Sequence, residues 1–142
     1  MSGAQTVMAS ASGEFEVKLN PEAMSATAAA SGLGRMSLDK QFHGALEASS
    51  QGEMLSFMDR ALMSGGYVAM ELVQGTLDGK RGSFVLQHQG SMARGAPALS
   101  VTVVADSGRD ALAGLAGTMR IRIEGGKHYY DFEYTLAPIA SA

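Results

Sequence analysis

The chain contains no cysteine and no tryptophan, and only three prolines in 142 residues. Without cysteine there are no disulfides, no thiolate nucleophile and no sulfur cage for zinc, a composition that fits a reducing compartment. Charge is also sparse. Lys and Arg total 11 against 14 Asp and Glu, a net charge of −3, and there is no basic run. That excludes the electrostatic footprint of a DNA- or RNA-binding protein, so no nucleic-acid partner is expected. Without cations around them, the four Tyr and five Phe read as core residues rather than base-stacking platforms. No stretch approaches the roughly 20 apolar residues of a membrane-spanning helix, so no membrane is expected as a partner. The opening segment MSGAQTVMASASGE has neither a cationic start nor an unbroken apolar run, which reads against a signal peptide and for a cytoplasmic protein.

Glycine is abundant, at 18 residues, and it punctuates short runs of alternating character. Phe15, Val17 and Leu19 alternate with Glu14, Glu16 and Lys18, giving one buried and one wet face at the period of a strand. Similar runs follow at about 33–42, 45–52, 67–77, 80–92, 98–105, 115–124 and 127–136. Eight strands in a single domain over 13–136 are therefore expected, with flexible ends at 1–12 and 137–142. Gly75-Thr76-Leu77, Gly90-Ser91-Met92 and Gly117-Thr118-Met119 each set a glycine inside a strand, as barrel corners do. From Glu53 to Ser64 the alternation stops. Met54, Phe57, Met58, Ala61 and Leu62 fall at helical spacing, which predicts a short helix or lid at one end of the barrel.

Two turns fix the register. Asp78-Gly79 has the chemistry of a type I′ hairpin, so Leu77 should face Lys80, Val73 Phe84, Glu71 Leu86 and Ala69 His88. Gly125-Gly126 serves the same purpose later, setting Arg120 opposite Asp131 and Thr118 opposite Glu133 in a charged ladder suited to solvent. The other face of that hairpin, with Met119, Ile121, Ile123, His128, Tyr130, Phe132 and Tyr134, is expected to point inward. In the first hairpin Tyr67, Ala69, Glu71, Val73, Phe84, Leu86 and His88 share a face. The opposite face carries Val68, Met70, Leu72 and Val85 and needs a cover, either a second copy of the chain or the N-terminal segment.

Glu71 and His88 are thereby diagonal neighbours in apolar surroundings, within roughly 5–8 Å of each other. Such a pair supplies a general acid or base near neutral pH, or simply satisfies two polar groups in a core. Tyr130 is a second candidate, as a hydrogen-bond donor to a substrate oxygen. His128 lies nearer the turn as a rim residue, and Glu53 is a candidate carboxylate at the mouth. Tyr67, Phe84, Leu86, Met119, Phe132 and Tyr134, with Phe57 and Met58 from the predicted lid, complete the expected ligand-binding set. His43 has no derivable partner. There is no G-x-S-x-G elbow, P-loop or dinucleotide fingerprint. A metal at Glu71 and His88 lacks a third ligand, so neither a metal nor another cofactor is expected.

The segments Gly52-Glu53-Met54-Leu55, Gly65-Gly66-Tyr67-Val68-Ala69-Met70-Glu71, Gly75-Thr76-Leu77-Asp78-Gly79, Gly82-Ser83-Phe84-Val85-Leu86-Gln87-His88, Ser100-Val101-Thr102-Val103-Val104 and His128-Tyr129-Tyr130-Asp131-Phe132-Glu133-Tyr134 together resemble an uncharacterised bacterial family of small barrels related in fold to allene oxide cyclase. The resemblance covers about residues 13–136. It implies a closed eight-stranded antiparallel barrel of the allene oxide cyclase and dirigent kind, often a homo-oligomer, that takes a small hydrophobic molecule into its lumen. An all-β barrel acting as a cofactor-independent isomerase or cyclase through Glu71, His88 and Tyr130 is one expectation. A noncatalytic ligand-binding barrel, or a filled one serving only in assembly, is the other. Fold likeness alone carries no reaction across.

Overall fold

Nine strands make up almost all of the ordered backbone in the computed structural model, which describes residues 8–136. They are β1 (Met8–Glu22), β2 (Gly34–Gly44), β3 (Leu46–Asp59), β4 (Ser64–Leu77), β5 (Lys80–Ala93), β6 (Ala96–Val103), β7 (Arg109–Asp110), β8 (Leu115–Glu124) and β9 (Lys127–Leu136). All pairings are antiparallel, in the order β4-β3-β2-β1-β9-β8-β6-β5, and β4 pairs with β5 to close the ring. The result is a closed eight-stranded barrel. The two-residue β7 is an addition to it, pairing with Gly82 and Ser83 of β5 below the end of β6. Closure removes the exposed edges that an open sheet of this size would present.

Both predicted turns hold their register. Asp78 and Gly79 have φ of 49° and 83°, Gly125 and Gly126 of 59° and 79°, the left-handed pairs that a type I′ turn needs. Leu77 pairs with Lys80, Glu71 with Leu86 and Ala69 with His88, as that turn dictates. The charged ladder is also present, with Arg120 opposite Asp131 and Arg122 Nε donating to Asp131 at 2.7 Å.

The segment over residues 53–64 corrects the expectation of a helix. β3 runs through it to Asp59, paired with β2 up to Ser56 and with β4 up to Asp59, before a turn at 60–63. The alternation is hidden because both faces of this strand carry apolar residues. Met54 and Met58 lie on the lumen side, while Leu55 and Phe57 lie outside and are exposed. The sole helical element among the described residues is a 3-10 turn at Ala26–Ala28. A second correction concerns the N-terminus. Met8 to Ser12, expected to fray, form the first part of β1 and pair with Asp131 to Thr135 of β9. Residues 1–7 and the expected flexible tail at 137–142 lie outside the described residues.

The two ends of the lumen differ. One end carries the Asp78-Gly79 turn, the tight β2–β3 connection and the 104–114 segment, and it is filled by Phe42, Leu46, Val73, Leu77, Phe84, Leu112, Leu115, Tyr130 and Phe132, all at most 2% exposed. The other end carries the turns at 60–63, 94–95 and 125–126 together with the 23–33 loop. Inward-parity residues there, including Met58, Leu99 and Ile123, remain open to solvent. No helix among the described residues is long and apolar enough to cross a membrane.

Candidate functional site

Glu71 sits at the waist of the barrel, between the packed end and the open one. Its neighbour across β3 is Gly52, and a Cβ built there would lie 2.9 Å from the Glu71 Cβ and 2.0 Å from the Met70 carbonyl oxygen, so glycine makes the close approach possible. Four polar side chains meet at this point, all nearly or fully buried. Glu71 Oε2 accepts from Lys40 Nζ at 2.8 Å and from His88 Nε2 at 2.7 Å. Glu71 Oε1 accepts from Ser50 Oγ at 2.9 Å. The Lys40 ammonium also lies over the faces of Phe15 and Phe42, 5.1 and 5.7 Å from their ring centres, where the ring quadrupoles favour a cation.

The electrostatics follow from these contacts. Burial alone pushes the Glu71 carboxyl up, but the His88 hydrogen bond and the Lys40 charge outweigh it and hold the group down at about 2. Glu71 is therefore a carboxylate that only accepts hydrogen bonds. Since Glu71 only accepts, His88 carries a proton on Nε2 in this contact, and its Nδ1 is turned away from the carboxylate. Among the described residues no group bonds that Nδ1, and every deeply buried side-chain nitrogen or oxygen has a partner.

Tyr67 connects this cluster to the mouth. Its ring centre is 6.3 Å from that of His88. The ring lies across Gly90, where a Cβ would come within 2.2 Å of it. Burial and the Glu71 charge both push the Tyr67 hydroxyl up, keeping it protonated and able to donate. On its outer side Tyr67 helps line a cavity of about 340 Å³ together with Met54, Ser56, Met58, Met92 and Leu99, between the 60–63 and 94–95 turns. The wall is almost wholly apolar.

The structure brings Glu71 and His88 together as the hairpin register requires, and Tyr67 stands beside them. Phe84, Leu86, Met119, Phe132 and Tyr134 are buried in the lumen, but mostly in the packed part, where Phe84 stacks on Phe132 and Phe132 on Tyr134. Tyr130 is not part of the cluster. Its hydroxyl lies 3.0 Å from both the His43 and Leu46 carbonyls, which share its single proton, and accepts from the Leu46 N–H at 2.9 Å, clamping the β2–β3 connection at the packed end. His128 packs on Phe15, with ring centres 5.1 Å apart. Glu53 faces outward rather than into the mouth, held by both of its oxygens to Arg35 at 2.9 and 2.7 Å. Met58 lines the cavity, and Phe57 borders it from the outer face.

Lys40 and Ser50 are the members that sequence reasoning missed. Lys40 has the parity of Leu38 and Phe42, and Ser50 that of Leu46 and Ala48, so a lysine inside an apolar alternation was the available signal. His43, without a derivable partner in the sequence, lies on the exterior between Glu16 and Glu47, at 3.1 and 3.3 Å, and both raise its pKa. No group of three or more His, Asp or Glu among the described residues is arranged to hold a metal ion.

No curated protein matches the chain. A crystal structure of a protein of unknown function from Shewanella oneidensis MR-1, of the DUF3224 family, superposes with a TM-score of 0.85 at 52% identity, covering 93% of this chain and 99% of that one. Residues 11–134 match the family described as protein of unknown function, DUF3224, and they hold all four members of the buried cluster and the eight barrel strands except the first residues of β1 and the last of β9. The chain thus belongs to the DUF3224 family.

Proposed function

We propose that this barrel binds a small hydrophobic molecule at its open end, with the Lys40–Glu71–His88 cluster as the polar floor beneath it. The observation that carries this reading is the apolar cavity of about 340 Å³ whose wall includes Tyr67, the ring that lies 6.3 Å from His88. Its volume falls within the range of small-molecule sites, and an apolar wall with a few convergent polar groups is their usual make-up. The resemblance to allene oxide cyclase-like barrels supports the same class of ligand. Tyr67 supplies an orienting hydroxyl, and the buried ion cluster keeps the waist rigid.

The test is fluorescence titration with 1-anilinonaphthalene-8-sulfonate, an anion whose apolar rings brighten on leaving water. Ser56 lines the cavity and is only partly buried, so Ser56→Trp fills the space without disturbing the packed end. Binding to the wild type, weakened at least about tenfold by Ser56→Trp, is the expected result. Equal binding by the two proteins would remove the cavity from the account.

A second reading, isomerase or cyclase chemistry, draws on the His88 Nδ1. A carboxylate held at about 2 is a poor proton acceptor near neutral pH, so Glu71 orients and His88 would be the base. This reassigns the acid–base role that sequence alone gave to the pair.

A further inference from the structure

The exterior of the barrel is divided into a charged side and an apolar one. Around β1, β2, β8 and β9 the outward residues include Glu16, Lys18, Asp39, Arg120, Arg122 and Glu133. Across β3 and β4 they include Leu55, Phe57, Val68, Met70 and Leu72, each 41–53% exposed, with Gln51 and Glu53 beside them. These five are neighbours through the ladder, with Leu55 opposite Val68. At about half exposure, these five side chains present several hundred Å² of contiguous apolar surface. That is the upper end of what a solitary soluble protein carries. With exposed Leu62 and Met63 at the adjoining turn, the area approaches the roughly 800 Å² per partner of a stable interface.

Three observations favour a second copy of this chain as the cover. Within the β3–β4 face the one acidic side chain, Glu53 opposite Met70, is already held by Arg35, so like surfaces meet there without an unpaired carboxylate. Its far border on β5 is made of Gln87 and Gln89, whose amides both donate and accept and therefore suit a self-complementary contact. Alongside the patch runs a groove of about 960 Å³, lined by Met24, Ala28, Leu55, Val68 and Met70, and its rim is the 23–34 arm, AMSATAAASGLG, which is mostly exposed and without a single charge. An uncharged, alanine-rich arm beside a groove that is mostly apolar, its charges confined to the Arg35–Glu53 pair, offers each copy something to insert and something to receive. The N-terminal strand does not compete for this place, since Met8–Glu22 is built into the barrel between β2 and β9.

We propose that two copies of the chain pair through the β3–β4 exterior about a two-fold axis, each laying its 23–34 arm along the groove of the other. The test is sedimentation or light-scattering mass at about 10 μM. The wild type should run at twice its 14.7 kDa, and Met70→Lys and Val68→Glu should run as folded monomers with dissociation at least about a hundredfold easier. Both positions are half exposed, so circular dichroism should be unchanged, and Lys18→Glu on the charged side should leave the dimer intact. A monomeric wild type, or a dimer that survives both Met70→Lys and Val68→Glu, would overturn the proposal. A wild-type monomer that sediments with phosphatidylcholine vesicles would overturn it too, and would give the face to a lipid surface instead.

Discussion

The packed and open ends of the lumen are built from the same strands and the same alternation, yet they contrast in every physical respect. At the packed end Phe84, Phe132 and Tyr134 stack in series, Leu112 fills the space above Gly82, and Tyr134 reaches the turn by donating to Asp78. At the open end inward-parity residues such as Leu99 and Ile123 still face water. The difference shows where this barrel spends burial on stability and where it withholds it. Small barrels of eight strands have interiors just wide enough for side chains to fill, and here the filled part and the open part lie at opposite ends of the axis, with the Lys40–Glu71–His88 cluster between them.

Truncating one residue at each end is the most direct way to break the contrast. Phe132→Ala should cost about 4 kcal/mol, because a fully buried aromatic leaves a cavity that its stacked neighbours cannot collapse into. Leu99→Ala, at a half-exposed position, should cost less than about 1 kcal/mol. Urea denaturation measures both, and similar losses would mean that the open end is as well packed as the other.

Acid should single out the waist. Glu71 is held at about 2 in the folded chain against an ordinary value of 4.5, so the difference contributes about 3 kcal/mol that is present above pH 5. The sign follows from the depressed value: the unfolded chain takes up the proton first, and this stability is lost as the pH falls from about 5 towards 2. Glu71→Gln should flatten that part of the profile. Parallel profiles for the wild type and Glu71→Gln would show that the cluster does not hold the carboxylate as its geometry indicates.

A loss smaller than that of the waist carboxylate sharpens the assignment of Tyr130 to structure. Tyr130→Phe should cost about 2 kcal/mol by leaving the buried Leu46 N–H without its acceptor, and probe binding at the open end should not change. Weakened binding would return Tyr130 to the site.

How much of this was legible depended on turn chemistry. Asp78-Gly79 admits one register, so Glu71 and His88 were placed together from sequence alone, and Gly125-Gly126 did the same for the charged ladder. β2 and β3 meet instead through Ala45, whose geometry is held by a tyrosine hydroxyl about 85 residues away in the chain. Nothing local announces such a clamp, and without it Lys40 and Ser50 had no register against Glu71. The 53–64 segment misled for a different reason. Periodicity distinguishes a strand only when one of its faces is wet, and outward Leu55 and Phe57 erase that contrast on β3.

The pairing of β1 with β9 has a consequence for how the barrel comes into being. Met8 lies opposite Thr135, so the seam joins the first described strand to the last. During translation β1 and β2 can form their hairpin early, but the first strand has no partner on its other side until nearly the whole domain has left the ribosome. Such non-local closure is slow, and an apolar strand edge waits exposed meanwhile. Folding of the barrel therefore ends with a sealing step, and a domain lacking β9 would leave that edge available to a neighbour.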